Sequence, residues 1–172
     1  MLKLRKNKKG FTLVELIVVI AIMAVLAGVV AGVTVSQLNK QTDKTGATQA
    51  NTVASFISEN ALISDEDATP IVKSILVPAT TTTPATYKNV FIVANVKTLI
   101  TAQYTAASIP VKNATDEGVD VNKSGQVIIT FGGVPEDDTT IADTVIVTYK
   151  PKASGTATTT FTISADGVVT KS

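Results

Sequence analysis

From residue 16 to residue 33 no charged or strongly polar side chain interrupts the chain. At about 1.5 Å per residue, a helix over these positions spans roughly 27 Å, enough to cross the hydrocarbon core of a bilayer. Beyond Val33 the pattern changes. Val35, Leu38, Thr42, Gly46, Ala50, Val53, Ile57 and Ala61 recur at spacings of three and four, while Lys40, Lys44, Asn51, Ser55 and Glu59 fall off that face. Together the two patterns predict one helix over residues 11–62, softened near Thr45-Gly46, with Gly28 and Gly32 loosening its apolar half. So long a helix exceeds the usual length. Its amphipathic half needs cover, and the rest of the chain is the available source.

The C-terminal part reads as strands. Residues 126–131, 144–150 and 158–164 are rich in Val, Ile, Thr and Phe. Turn residues bound them: Ser124-Gly125, Gly132-Gly133, Pro151 and Gly155. Ala165-Asp166-Gly167, between Ile163 and Val168, is a hairpin signal. These segments predict an antiparallel sheet of about four strands, packed by its apolar face on the upper half of the helix. Thr69-Pro70 has the form of a cap followed by proline at the first helical position, which predicts a short helix over residues 70–76. Residues 87–104 stay open: Val90, Phe91, Ile92 and Val93 suit a buried strand, and Val96, Leu99 and Ile100 suit a helix face. Residues 78–86, rich in Pro and Thr, read as a surface loop. The fold class expected is α+β, a long N-terminal helix packed on a C-terminal antiparallel β-sheet.

Charge sharpens the reading of the N-terminus. Lys3, Arg5, Lys6, Lys8 and Lys9 form a basic leader, which the positive-inside rule holds in the cytoplasm. Secretory signals carry their cut site after the apolar core. Here the cut site expected, Gly10-Phe11, comes before it, so cleavage would leave the apolar segment on the mature chain. One acid, Glu15, sits beside that segment. A carboxylate near a membrane-length apolar run is costly unless something requires it.

Lys8-Lys9-Gly10-Phe11-Thr12-Leu13-Val14-Glu15-Leu16-Ile17 resembles the class III signal of type IV prepilins and related pseudopilins, including those of Gram-positive bacteria. The resemblance covers roughly residues 5 to 35. It implies that a membrane-embedded prepilin peptidase cuts after Gly10 and N-methylates Phe11. Glu15 takes the place of the family's acid five positions past the cut, which would pair in a filament with the Phe11 amine of a neighbouring copy. Many family members carry a proline in the apolar half of the helix, whereas none occurs here before Pro70. The implied organisation is a leader over 1–10, a transmembrane and filament-core half of the helix over 11–34, and a soluble head over 35–172. The implied partners are other copies in a helical filament, the prepilin peptidase, the pilus assembly machinery, and the membrane before assembly. The implied location is the cytoplasmic membrane as precursor, then a pilus on the cell surface, serving adhesion or motility.

Composition narrows the rest. The chain of 172 residues contains no Cys, His or Trp. Disulfides, imidazole catalysis and the usual metal ligands are therefore absent, and neither an enzyme nor a cofactor is expected. Without the five leader cations, 10 basic and 14 acidic side chains remain. That balance opposes general attraction to nucleic acid, and no specific nucleic-acid binding is expected. Asp65-Glu66-Asp67 reads as a solvated turn. Glu136, Asp137 and Asp138 are a minor calcium candidate lacking the alternating ligand spacing of calcium loops. Asn113-Ala-Thr115 and Asn122-Lys-Ser124 match glycosylation triplets. Two alternatives to a pilin stand beside it: a pseudopilin of a type II secretion or DNA-uptake system, and a monomeric membrane-anchored binding domain. The last needs neither Gly10 nor Glu15.

Overall fold

The computed structural model describes residues 10–63 and 69–172. The leader cations and the acidic triplet Asp65-Glu66-Asp67 lie outside the described residues. The chain divides into two compact units, Met1–Leu38 and Asn39–Ser172. One helix, α1 (Leu13–Leu62), belongs to both. It runs unbroken through Thr45 and Gly46.

In the second unit α1 buries Asp43, Gly46, Ala50, Val53, Ala54 and Ile57. Five of these are small or β-branched, which lets a sheet approach closely. Lys40, Lys44, Asn51, Ser55 and Glu59 are exposed, as the periodicity requires. Among the described residues eight strands follow: β1 (Val72–Val77), β2 (Thr86–Ile92), β3 (Val111–Asn113), β4 (Val127–Gly132), β5 (Ile141–Ala142), β6 (Thr144–Tyr149), β7 (Thr159–Ser164) and β8 (Val169–Lys171). A second helix, α2 (Val93–Tyr104), lies between β2 and β3. The strands form two sheets, in the orders β1-β2-β5 and β3-β4-β6-β7-β8. All pairs are antiparallel except β3 with β4.

The larger sheet supplies the core. Register places Ile129 opposite Val147 and Val147 opposite Phe161, with Val145 opposite Ile163. These side chains share one face and one cluster with Ala50, Val53, Ala54 and Ile57 of α1 and with Val96 and Ile100 of α2. Polar contacts hold α1 along its length. Gln49 Nε2 donates to the Ile109 carbonyl at 2.7 Å, and Ser58 Oγ donates to the Gly167 carbonyl at 2.5 Å. The Phe56 and Tyr104 rings meet edge to face, 5.8 Å between centroids. At Gly46 the Tyr149 ring lies where a Cβ would be, 2.1 Å from its ideal position. A methyl there would displace the ring, so this glycine is a requirement of packing.

Two expectations are corrected. Residues 70–76 are not a helix: β1 pairs with β2 from Val72↔Phe91 to Val77↔Thr86. A segment this short, closed by Pro78, gains little as an isolated helix, while Val72, Ile75 and Val77 suit a strand with a partner. The sheet is also larger than four strands and partly parallel. β3, β5 and β8 are only two or three residues long, too short to leave a period in the sequence. The open segment 87–104 contains both elements, a strand passing directly into a helix. The hairpin at Ala165-Asp166-Gly167 is present, with Gly167 at φ +78° and its N–H donating to the Ser164 carbonyl. The Thr-rich segment is the exposed tip between β1 and β2.

Asp43 is the buried charge of this core, 5% exposed. Its Oδ1 accepts from the Tyr149 hydroxyl at 2.9 Å and from Lys152 N at 2.7 Å; its Oδ2 accepts from Ala153 N at 2.9 Å. Burial pushes the carboxyl up. The Lys152 and Ala153 amides, the Tyr149 hydroxyl and the Lys152 charge outweigh it and hold the carboxyl below its ordinary value. A lowered value in the folded state means stability present above the ordinary carboxylate range and lost as pH falls through the lowered value. Asp43→Ala strands three donors and is expected to destabilise the head by about 2–4 kcal/mol at neutral pH. Asp43→Asn should show a smaller deficit that closes as pH drops below about 4. Thermal melts of the three proteins across pH check this; a deficit independent of pH would contradict the role given to the charge.

Candidate functional site

Thr12 and Glu15 open α1 together. Thr12 N and Thr12 Oγ1 each donate to Glu15 Oε2 at 2.8 Å, and Glu15 N donates back to Thr12 Oγ1 at 3.2 Å. This reciprocal pair is a capping box, in which an N-terminal Thr and an acid three residues on satisfy donors that the first helical turn leaves free. A negative charge in the first turn also suits the positive end of the helix dipole. Thr12-Leu-Val-Glu15 is a legible capping signal, and the sequence reading of Glu15 as a costly charge overlooked it. The carboxylate thus has a local role, while Oε1 takes no hydrogen bond among the described residues.

The predicted site residues fall within this one segment. Phe11 is 91% exposed and directly precedes the cap. Phe11, Val14, Glu15, Leu16, Val18 and Val19 line an open apolar hollow of about 540 Å³. Every residue from Gly10 to Leu38 is exposed, including all the large apolar ones. The helix is long and apolar enough to cross a membrane. At Gly10 a Cβ would meet nothing within 4 Å, and the backbone is not in the left-handed region. Nothing among the described residues therefore requires glycine there.

The remaining candidates stand apart from this segment. Glu136 and Asp137 are exposed. Asp138 accepts at Oδ1 from Thr140 N at 2.9 Å and from Thr140 Oγ1, the bonds that hold its carboxyl below the ordinary value. Among the described residues no group of three carboxylates is gathered for a metal. Asn113 is buried, and its Nδ2 donates to Asp116 Oδ2 at 3.1 Å, whereas Asn122 is exposed.

Residues 5–31 match the prokaryotic N-terminal methylation motif. That motif is the class III signal peptide of type IV pilins, and the match covers the start of the chain only. Neither a curated protein nor a solved structure matches the chain. The motif implies processing by a peptidase and association with the membrane. With the exposed apolar helix, it fits a membrane-inserted precursor of a pilin-like or pseudopilin protein, structural in character. The α+β architecture, a long helix on a β-sheet, is consistent with the type IV pilin fold.

Gly10→Val tests where the requirement for glycine lies. The exposed position tolerates the larger side chain, so the protein is expected to fold and insert normally but to retain residues 1–10. Intact mass of the membrane-bound protein reads this out; wild-type processing would place the cut elsewhere.

Proposed function

We propose that this chain is the structural subunit of a type IV pilus, cleaved after Gly10, N-methylated at Phe11, and polymerised through residues 11–34 into a surface filament. The observation that carries the proposal is the conjunction at the start of α1. A glycine that nothing among the described residues requires and an exposed Phe11 precede a helix with a carboxylate, Glu15, in its first turn and with every apolar residue up to Leu38 exposed. Before the cut, residue 11 has a neutral amide nitrogen. After it, Phe11 carries a cationic amine, which stays basic on methylation. A buried ion pair is tolerable when both charges are present, and removing one strands the other. Cleavage would supply the partner for the Glu15 carboxylate when apolar helices of several copies come together. Copies related by a rotation that does not close make an open helical fibre. The head over 35–172 would form the outer surface, with the Thr-rich tip exposed for adhesion. A pseudopilin role would use the same start of the helix; the two differ in the machine that assembles the copies.

The capping box makes the charge testable apart from the cap. Gln serves at the third helical position nearly as Glu does, so Glu15→Gln keeps the cap and removes the charge. The variant is expected to be processed and inserted, since an intramembrane charge costs about 2.5–3.5 kcal/mol on insertion scales and its loss favours the membrane. Filament yield should nevertheless fall sharply, because an unpaired buried amine costs roughly 3–5 kcal/mol. Sheared surface filament is measured against membrane-bound subunit. Wild-type yield from Glu15→Gln, with loss only in Glu15→Ala, would reduce Glu15 to a helix cap. Absence of filaments in the wild type would favour a monomeric anchor.

A further inference from the structure

The edges of the two sheets are not alike. β3 and β8 bound the larger sheet and β5 ends the smaller one, each two or three residues long. Edges this short offer little for another strand to pair with. β1, the other edge of the smaller sheet, runs for six residues and pairs with β2 alone among the described residues. Lys73 is its one charge, and Ile75, Leu76 and Val77 follow.

The register shows which backbone groups of β1 are already used. Ile92 N donates to the Ile71 carbonyl at 2.7 Å, and Val72 lies opposite Phe91. In an antiparallel pair, hydrogen-bonded and non-hydrogen-bonded positions alternate. Ile71, Lys73, Ile75 and Val77 therefore turn their backbone groups to β2. Val72, Ser74 and Leu76 turn theirs outward, where no described residue bonds them. The side chains of these three share one face, opposite Phe91, Asn89 and Tyr87. At its outer end Leu76 is 57% exposed and Tyr87 79% exposed.

We propose that β1 is a docking edge for the β1 of a second copy, antiparallel and centred on Ser74, so that the two small sheets become one. The register is self-complementary. Val72 faces Leu76 of the second copy, Ser74 faces Ser74, and each pair exchanges two N–H···O bonds. Leu76, already beside Tyr87, gains a valine on its open side, and Lys73 faces Ile75 and not a like charge. The two Lys73 amines stand on the diagonal, each with the Asp138 carboxylate of its own chain within electrostatic reach. A two-fold contact closes on itself, so it makes pairs and not fibres. One strand edge buries far less than the ~1,600 Å² of a standard interface, so the pairing needs copies held close together. It rests for this on the membrane-inserted precursor of the pilin reading.

The chain contains no Cys, so single cysteines report the contact. Full-length Ser74→Cys, Val72→Cys, Leu76→Cys and Thr81→Cys proteins are reconstituted in phospholipid vesicles and oxidised, and disulfide-linked dimer is measured on non-reducing gels. Hydrogen-bonded positions of an antiparallel ladder bring Cα atoms to about 5.5 Å, within the span of a disulfide. Ser74→Cys is expected to link to itself about tenfold more than Thr81→Cys at the exposed tip, whose two copies would lie on the order of 20 Å apart or more. Val72→Cys and Leu76→Cys should link to each other when reconstituted together and not when alone. That second measurement leaves Ser74 and its bond to Asn89 Oδ1 in place. Equal linking of Ser74→Cys and Thr81→Cys would reduce the contact to chance collision and overturn the pairing. Val72→Cys linking to itself as readily as to Leu76→Cys would overturn it too. A chain that does not insert in the vesicles would overturn the membrane reading and the pairing with it.

Discussion

Everything in this protein depends on one uncovered helix surface. The residues of α1 up to Leu38 are exposed and, from residue 16 to 33, wholly apolar. Soluble monomers rarely leave large contiguous apolar surface in water. This surface therefore calls for cover by lipid or by another apolar surface, and a helix is the form that can take it because its backbone groups bond internally. The second half of the same helix solves the problem differently. Ala50, Val53, Ala54 and Ile57 are covered by the apolar face of a sheet from the same chain. One continuous element thus carries two kinds of burial, one completed in the monomer and one left for an outside partner.

Polar groups decide where each kind of burial begins. At the N-terminus Thr12 and Glu15 satisfy each other, so the helix starts cleanly at Leu13 without a further partner. A carboxylate already useful to the isolated helix can be kept next to an apolar run at lower cost than a bare charge. In the filament proposed above, a neighbouring ammonium would reinforce the cap without having to replace it. Just beyond the exposed run, Asp43 plays a comparable part for the head. A buried acid with three donors ties the helix to a segment more than a hundred residues later. With no disulfide in the chain, such ties and the core are what hold the head together.

The sequence carried the long-range architecture well where one period repeats many times. The amphipathic half of the Leu13–Leu62 helix and its buried stripe from Gly46 to Ile57 follow from spacings of three and four. Strands β4, β6 and β7 were visible as runs of β-branched residues between glycines and prolines. What was not legible has physical reasons. β3, β5 and β8 exist because neighbours offer edges to pair with, and two or three residues cannot announce that. The segment at 70–76 has a helix-start signal that pairing with β2 overrides. Asp43 sits on the buried stripe, where periodicity alone would place an apolar residue, and its partners are distant in sequence. Gly46 reads as a weak point until the Tyr149 ring is seen against it. At the N-terminus the capping role of Glu15 was missed although Thr12-Leu-Val-Glu15 spells it out.

The central claim is that the exposed apolar half of α1 is covered by identical copies after a cut before Phe11. Its most direct test is electron microscopy of filaments sheared from the cell surface, joined to the intact mass of their subunit. The result expected is a filament built of this chain, lacking residues 1–10 and carrying one methyl group on the Phe11 nitrogen. Filaments whose subunits retain residues 1–10, or a cell surface bearing only the membrane-held monomer, would contradict the account.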